Sequence, residues 1–131
     1  MPDKVGIVLL GYGVHGRRVG NTIRELVRSG IRDHEVDVEW LAIVDVDWTA
    51  RGIALEHTER DSRGTRVLPS LRDAIDWVRT YPGRLLIVDC SSTHAHIGNL
   101  TECKTSLSPK GMWSYLGEKP MYIDMGGKVP L

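Results

Sequence analysis

The chain of 131 residues contains no phenylalanine. Its large apolar groups must come from four Trp, four Tyr and the aliphatic side chains. It also lacks any surplus of charge. The 17 Lys+Arg stand against 17 Asp+Glu, for a formal net charge of +0. That balance excludes a general basic grip on nucleic-acid phosphates, which depends on excess cations. It leaves no polybasic segment for a membrane surface either. No apolar run approaches the roughly 20 residues of a membrane-spanning helix. No secretory apolar segment with a small-residue cleavage site follows Met1 to Lys4. Arg17-Arg18 falls inside a predicted helix, which argues against an export signal. Cysteine is scarce: Cys90 and Cys103 lie in different predicted elements and lack metal-ligand spacing. They read as reduced thiols in a cytoplasmic protein, with no metal site.

What is present suits one folded domain. Apolar residues make up 41% and charged residues 26%, enough of each for a packed core under a solvated surface. Val5 to Leu10 is a nearly continuous apolar run, as expected of a strand buried on both faces. Val38 to Val46, Thr65 to Leu68, Arg84 to Cys90 and Met112 to Leu116 read as four further strands. Between them, Val19, Ile23, Leu26 and Val27 recur at helical spacing, with Gly30 as the stop. Ala50 to His57 is a short second helix. Ser70 is an N-cap for the helix that buries Leu71, Ala74, Ile75 and Val78. A fourth helix is expected over His96 to Thr105. Strands alternating with helices predict an α/β fold, a Rossmann-type doubly wound parallel sheet in the order 3-2-1-4-5. The expected organisation is one such domain over residues 1–124 and a C-terminal tail over 125–131.

Four clusters carry the chemistry. The first is Gly11-Tyr12-Gly13-Val14-His15-Gly16, which follows a strand and opens a helix, the context a dinucleotide-binding glycine motif requires. Gly11 would turn the chain, Gly13 would admit a pyrophosphate, and Gly16 would let helix and strand pack closely. The N–H groups of Val14 and His15 would face the phosphates at the positive end of the helix. The bland alternative is a glycine turn that binds nothing. The second cluster is Asp45, closing the second strand, with Asp47 as competitor. A carboxylate there accepts from a ribose diol and repels a 2′-phosphate, so NAD is favoured over NADP. Asp47 reads otherwise as a solvated helix cap.

The third cluster is Cys90-Ser91-Ser92-Thr93-His94-Ala95-His96, at the end of the fourth strand, where ligands approach a doubly wound sheet. Ser91 and Ser92 would let a cofactor close and bond its ribose or phosphates. His94 and His96 read either as acid–base groups or as residues set by packing at a helix N-terminus. The fourth is Glu118-Lys119-Pro120 after the fifth strand. Lys119 could polarise a carbonyl or stabilise an alkoxide; a surface Glu–Lys pair is the alternative.

Placed in this order, the glycine motif, Asp45, the Ser91-Ser92 to His96 turn and Glu118-Lys119-Pro120 resemble the glucose–fructose oxidoreductase / inositol dehydrogenase / rhizopine-catabolism family (Gfo/Idh/MocA). The resemblance covers Val5 to about Asp124. It implies NAD(P)-dependent hydride transfer with a sugar, polyol or related small carbonyl compound. It makes Lys119 the catalytic lysine and sets Glu118, Lys119 and His96 beside the cofactor. Ser91-Ser92 replaces the family's usual Thr-Pro. The family's second, substrate-binding domain and the sixth strand have no counterpart here. The chain is therefore expected to be the cofactor half, its substrate pocket coming from another domain or subunit and self-association being open to it. Homoserine-dehydrogenase-like enzymes share the early glycine motif and a strand like LLIVDCSS, but usually carry Asn-Lys after the fifth strand. A non-catalytic dinucleotide-binding module is the reading from another class.

Overall fold

The computed structural model describes residues 3–29, 36–61, 64–117, 122–124 and 128–130. Five strands are β1 (Asp3–Leu10), β2 (Val36–Val44), β3 (Arg66–Leu68), β4 (Arg84–Asp89) and β5 (Trp113–Gly117). Between them run helices α1 (Val14–Ser29), α2 (Trp48–Asp61), α3 (Leu71–Val78) and α4 (Thr93–Leu107). The strands are parallel and lie in the order β3-β2-β1-β4-β5. This is the Rossmann-type doubly wound sheet that the sequence predicts. Among the described residues no helix is long and apolar enough to cross a membrane.

The apolar run of β1 is explained by cover on both faces. Ile7 and Leu9 join Ile23 of α1 and Ala54 of α2 in one buried cluster. Val8 and Leu10 join Leu71, Ala74, Ile75 and Val78 of α3 and Cys103 and Leu107 of α4 in another. Val8 and Leu9 are fully buried. Each such aliphatic side chain stabilises the fold by about 1.5–3 kcal/mol.

In β2 the alternation is broken. Ile7 pairs with Trp40 but Val8 pairs with Ala42, so Leu41 is an extra residue on β2. As a result Val38 and Trp40 face α1 and α2, whereas Ala42 and Val44 face α3 and α4. A one-residue bulge exchanges the faces of everything beyond it. Ile43 thus joins the cluster of Trp40. The carbonyls at the bulge are satisfied from outside the ladder: Thr65 Oγ1 donates to Trp40 O at 2.7 Å and Trp77 Nε1 to Leu41 O at 3.1 Å.

Some boundaries differ from the sequence reading. β2 ends at Val44, leaving Asp45 as the first residue beyond it. α4 starts at Thr93, before the expected His96, because Ser92 adopts extended N-cap geometry. Ser70 accepts from the Asp73 N–H at 3.2 Å, as its cap role predicts. Across the expected boundary between residues 124 and 125 lies a strand pair that hydropathy does not reveal: β6 (Tyr122–Asp124) pairs antiparallel with β7 (Lys128–Pro130) in a separate sheet. Strands of three residues are too short to show a period. Gly30, the expected stop of the first helix, lies outside the described residues.

Leu9→Ala should cost about 2–5 kcal/mol in urea denaturation, the range for a buried leucine. Leu116 is 53% exposed, and Leu116→Ala should stay within about 0.5 kcal/mol of the parent. Equal costs would contradict the packing described.

Candidate functional site

The site begins at the turn after β1. Gly11 has φ 91°, and a Cβ there would lie 2.8 Å from the Cys90 carbonyl carbon and the Ser91 nitrogen. Both strain and space restrict the position to glycine. The β1 and β4 turns are thereby pressed together, with Cys90 N donating to Leu10 O at 2.7 Å. Gly16 serves the close packing expected of it: its Cβ would meet Gly11 O at 2.0 Å. A Cβ on Gly13 would meet nothing within 4 Å. Gly13 instead borders a cavity of about 400 Å³.

That cavity lies at the carboxyl ends of β1, β2 and β4, where the strand order reverses. It is lined by Gly11 and Gly13, by Val44, Asp45 and Val46, and by Cys90, Ser91, Ser92, Ala95 and Asn99, with Leu10 and Leu71 below. This is where a doubly wound sheet binds ligands. A larger depression of about 590 Å³ opens at the other edge of the sheet, beside Lys4 and Arg84. It lies at the strand N-termini, away from the glycine turn, so it is not the candidate.

Asp45 ties β2 to the glycine turn. Its Oδ2 accepts from Tyr12 N at 2.7 Å and its Oδ1 from Asp47 N at 2.9 Å. The bulge at Leu41 makes this possible, because it aims Asp45 to the side of Ile43 and Tyr12. Asp47 is exposed and accepts from Thr49 N at 3.3 Å, capping the start of α2. Arg51 donates to the carbonyls of Asp45 (2.8 Å) and Val46 (3.0 Å).

Tyr12, a cofactor-facing residue in the sequence reading, is fully buried. Its N–H is taken by Asp45, and its hydroxyl lies 2.6 Å from His57 Nδ1 and 3.3 Å from Arg24 Nη1. Arg24 can only donate, so the tyrosine oxygen accepts from it while the same hydroxyl also pairs with His57. Tyr12 therefore supports the turn and does not line the cavity. Burial lowers the His57 pKa, and the Arg24, Arg60 and Arg17 charges lower it further, against the opposing effect of Glu56. Val14 and His15 are exposed on the first turn of α1.

The turn after β4 centres on a residue the sequence reading passed over. Asp89 is fully buried. Its Oδ1 accepts from the N–H and the hydroxyl of Ser91; its Oδ2 accepts from Asn99 Nδ2 and the Tyr115 hydroxyl. An acid ending an apolar strand, in IVDC, was the available signal. Ser91 and Ser92 line the cavity. The Ser92 side chain makes no cap hydrogen bond. His96 does not line it: it is 2% exposed, with Nε2 at 2.9 Å from Ser91 O and 3.5 Å from Asp89 Oδ1. His94 is exposed. Glu118, Lys119 and Pro120 lie outside the described residues. Burial, then Asp89, pushes the Cys103 thiol up to about 12, which makes it inert.

No protein-family model matches the chain, and no curated protein matches it. Among solved structures, crystal structures of S. aureus homoserine dehydrogenase at several pH values are similar at 17% identity. The structure at pH 7.0 covers 90% of this chain with a TM-score of 0.41, that at pH 7.5 covers 90% at 0.44, and that at pH 6.0 covers 92% at 0.41. The chain spans about a third of the length of those proteins (33%, 32% and 34%).

Two predictions follow from this geometry. Gly16→Ala should lower the melting temperature, because its Cβ has no room beside Gly11 O. Gly13→Ala should leave the melting temperature unchanged and reduce the affinity of whatever occupies the cavity; a matched loss of stability in both variants would contradict the division of roles. The second concerns pH. His57 is held neutral in the fold, so unfolded chains take up its proton first as pH falls below 6.5. Its contribution is present above that value and is lost as pH falls through the lowered folded value. Urea titrations should show a shallower acid loss for His57→Gln than for the parent.

Proposed function

We propose that the cavity holds a nicotinamide dinucleotide, with NAD preferred over NADP, and that residues 1–124 are the cofactor unit of an oxidoreductase. The observation that carries this reading is the convergence of Gly13, Asp45, Ser91 and Ser92 on one cavity at the reversal of strand order. The donor and acceptor sets suit such a ligand. Gly13 and the first turn of α1 offer an open backbone edge to a pyrophosphate. Each oxygen of the Asp45 carboxylate accepts one N–H and has about two acceptor positions. Both oxygens thus keep capacity for a ribose diol, while their charge opposes a 2′-phosphate. A bound nicotinamide would supply hydride exchange with a sugar, polyol or related small carbonyl compound.

The Gfo/Idh/MocA resemblance adds Lys119 as the group that would stabilise the substrate oxygen, with Glu118 beside it. A substrate pocket would come from a second domain or subunit. The homoserine-dehydrogenase-like reading, suggested by the strand LLIVDCSS, is the alternative.

Fluorescence titration should show NADH binding more tightly than NADPH by about tenfold, or ~1.4 kcal/mol. Asp45→Ser should narrow that margin. Equal affinity in the parent chain would overturn the role of Asp45, and binding of neither would overturn the cofactor reading.

A further inference from the structure

We infer that Asp89 is a positioning residue that fixes the Ser91 hydroxyl as a hydrogen-bond acceptor, so that this end of the cavity takes a ligand hydroxyl or amide N–H and not a phosphate. The inference rests on the dinucleotide reading and adds to it which ligand group Ser91 receives. The sequence alone leaves ribose and phosphate as equal partners for Ser91; the hydrogen bonds do not.

A serine hydroxyl has one proton and two acceptor positions. The Ser91 proton is directed at Asp89 Oδ1. One acceptor position is taken by Asn99 Nδ2 at 3.2 Å. The same Nδ2 donates to Asp89 Oδ2 at 2.9 Å, which fixes the orientation of the Asn99 amide. What remains on Ser91 is a lone pair, and Ser91 borders the cavity. A phosphate oxygen cannot donate to it, and the buried Asp89 charge behind it opposes an anion. A ribose hydroxyl or a carboxamide N–H can.

The surroundings hold this arrangement in one state. Burial and the hydrogen bond to Asp89 push the Tyr115 pKa up, so its hydroxyl stays a donor to Asp89 Oδ2. The His96 ring holds the Ser91 carbonyl through Nε2, which must carry a proton to do so. Its Nδ1 is buried without a hydrogen-bond partner, so the ring is oriented from the Ser91 side alone. Asp89 thereby lies on the α4 side of the sheet, in register with Leu85 and Ile87, which face the same cluster.

The test compares ADP, ADP-ribose and NADH by calorimetry on the full chain. ADP ends at the pyrophosphate, ADP-ribose adds ribose hydroxyls, and NADH adds the amide. ADP-ribose or NADH should bind more tightly than the next smaller ligand by about fivefold, the scale of one hydrogen bond. Asp89→Asn keeps an oxygen that can still accept from the Ser91 N–H and hydroxyl, so the decisive variant is Asp89→Leu, which leaves the Ser91 proton without its acceptor and should collapse the margin. A gain at ADP-ribose identifies a ribose hydroxyl as the donor; a gain only at NADH identifies the amide. General loosening of the fold would weaken ADP equally and leave the margin intact. Should Asp89→Leu fail to fold, Ser91→Ala removes the acceptor directly and should also collapse the margin. A margin that survives in Ser91→Ala or in folded Asp89→Leu overturns the inference while the cofactor reading stands. Failure of the parent chain to bind any of the three overturns the cofactor reading itself.

Discussion

The site depends on the contact between two turns. Gly11 lies so close to the Cys90–Ser91 backbone that a single added carbon would sit 2.8 Å from it. This contact sets the glycine turn of β1 against the acid–serine turn of β4. It also leaves the carboxyl edge of the sheet concave. Residues from β1 and β4 can line one cavity only because nothing larger than a hydrogen separates them at that point. The helix that follows is drawn in by the same economy of volume at Gly16.

Asp45 closes the cavity from the third side, and its position is a matter of register. Without the extra residue at Leu41, position 45 would fall on the face of α3 and α4, away from the Tyr12 N–H. A bulge that re-aims a side chain beside a ligand cavity is a known use of the device. Here the Trp77 and Thr65 side chains complete the bulge by taking its carbonyls. The two carboxylates of the site then differ in task. Asp45 is half-buried and borders the cavity, whereas Asp89 is fully buried and acts through Ser91 and Asn99.

Much of this was legible in the sequence. The apolar runs of β1 and β4 and the helical spacing of Val19, Ile23 and Leu26 are strong signals, because both faces of the sheet are covered. Two positions of the glycine motif could be read directly, since Gly11 and Gly16 answer to distinct steric demands, whereas Gly13 meets none and borders the cavity. Other features were not legible. The Leu41 bulge leaves no mark in VEWLAIV, where nearly every side chain is apolar. Tyr12 looks like a ligand contact by its place in the motif, yet its hydroxyl is satisfied by His57, 45 positions away. The Asp89 network joins residues from β4, α4 and β5, and no local spacing announces it. His96 resembled a cavity residue for the same reason: its turn borders the cavity, but its ring packs behind it.

The central claim is that a dinucleotide occupies the carboxyl edge of this sheet. Backbone amide NMR spectra recorded with and without NADH test it most directly. The account predicts shifts at Gly11 to Gly16, at Asp45 and Val46, and at Ser91 and Ser92. Shifts concentrated at the opposite edge, around Lys4 and Arg84, or no shifts at saturating NADH, would contradict it.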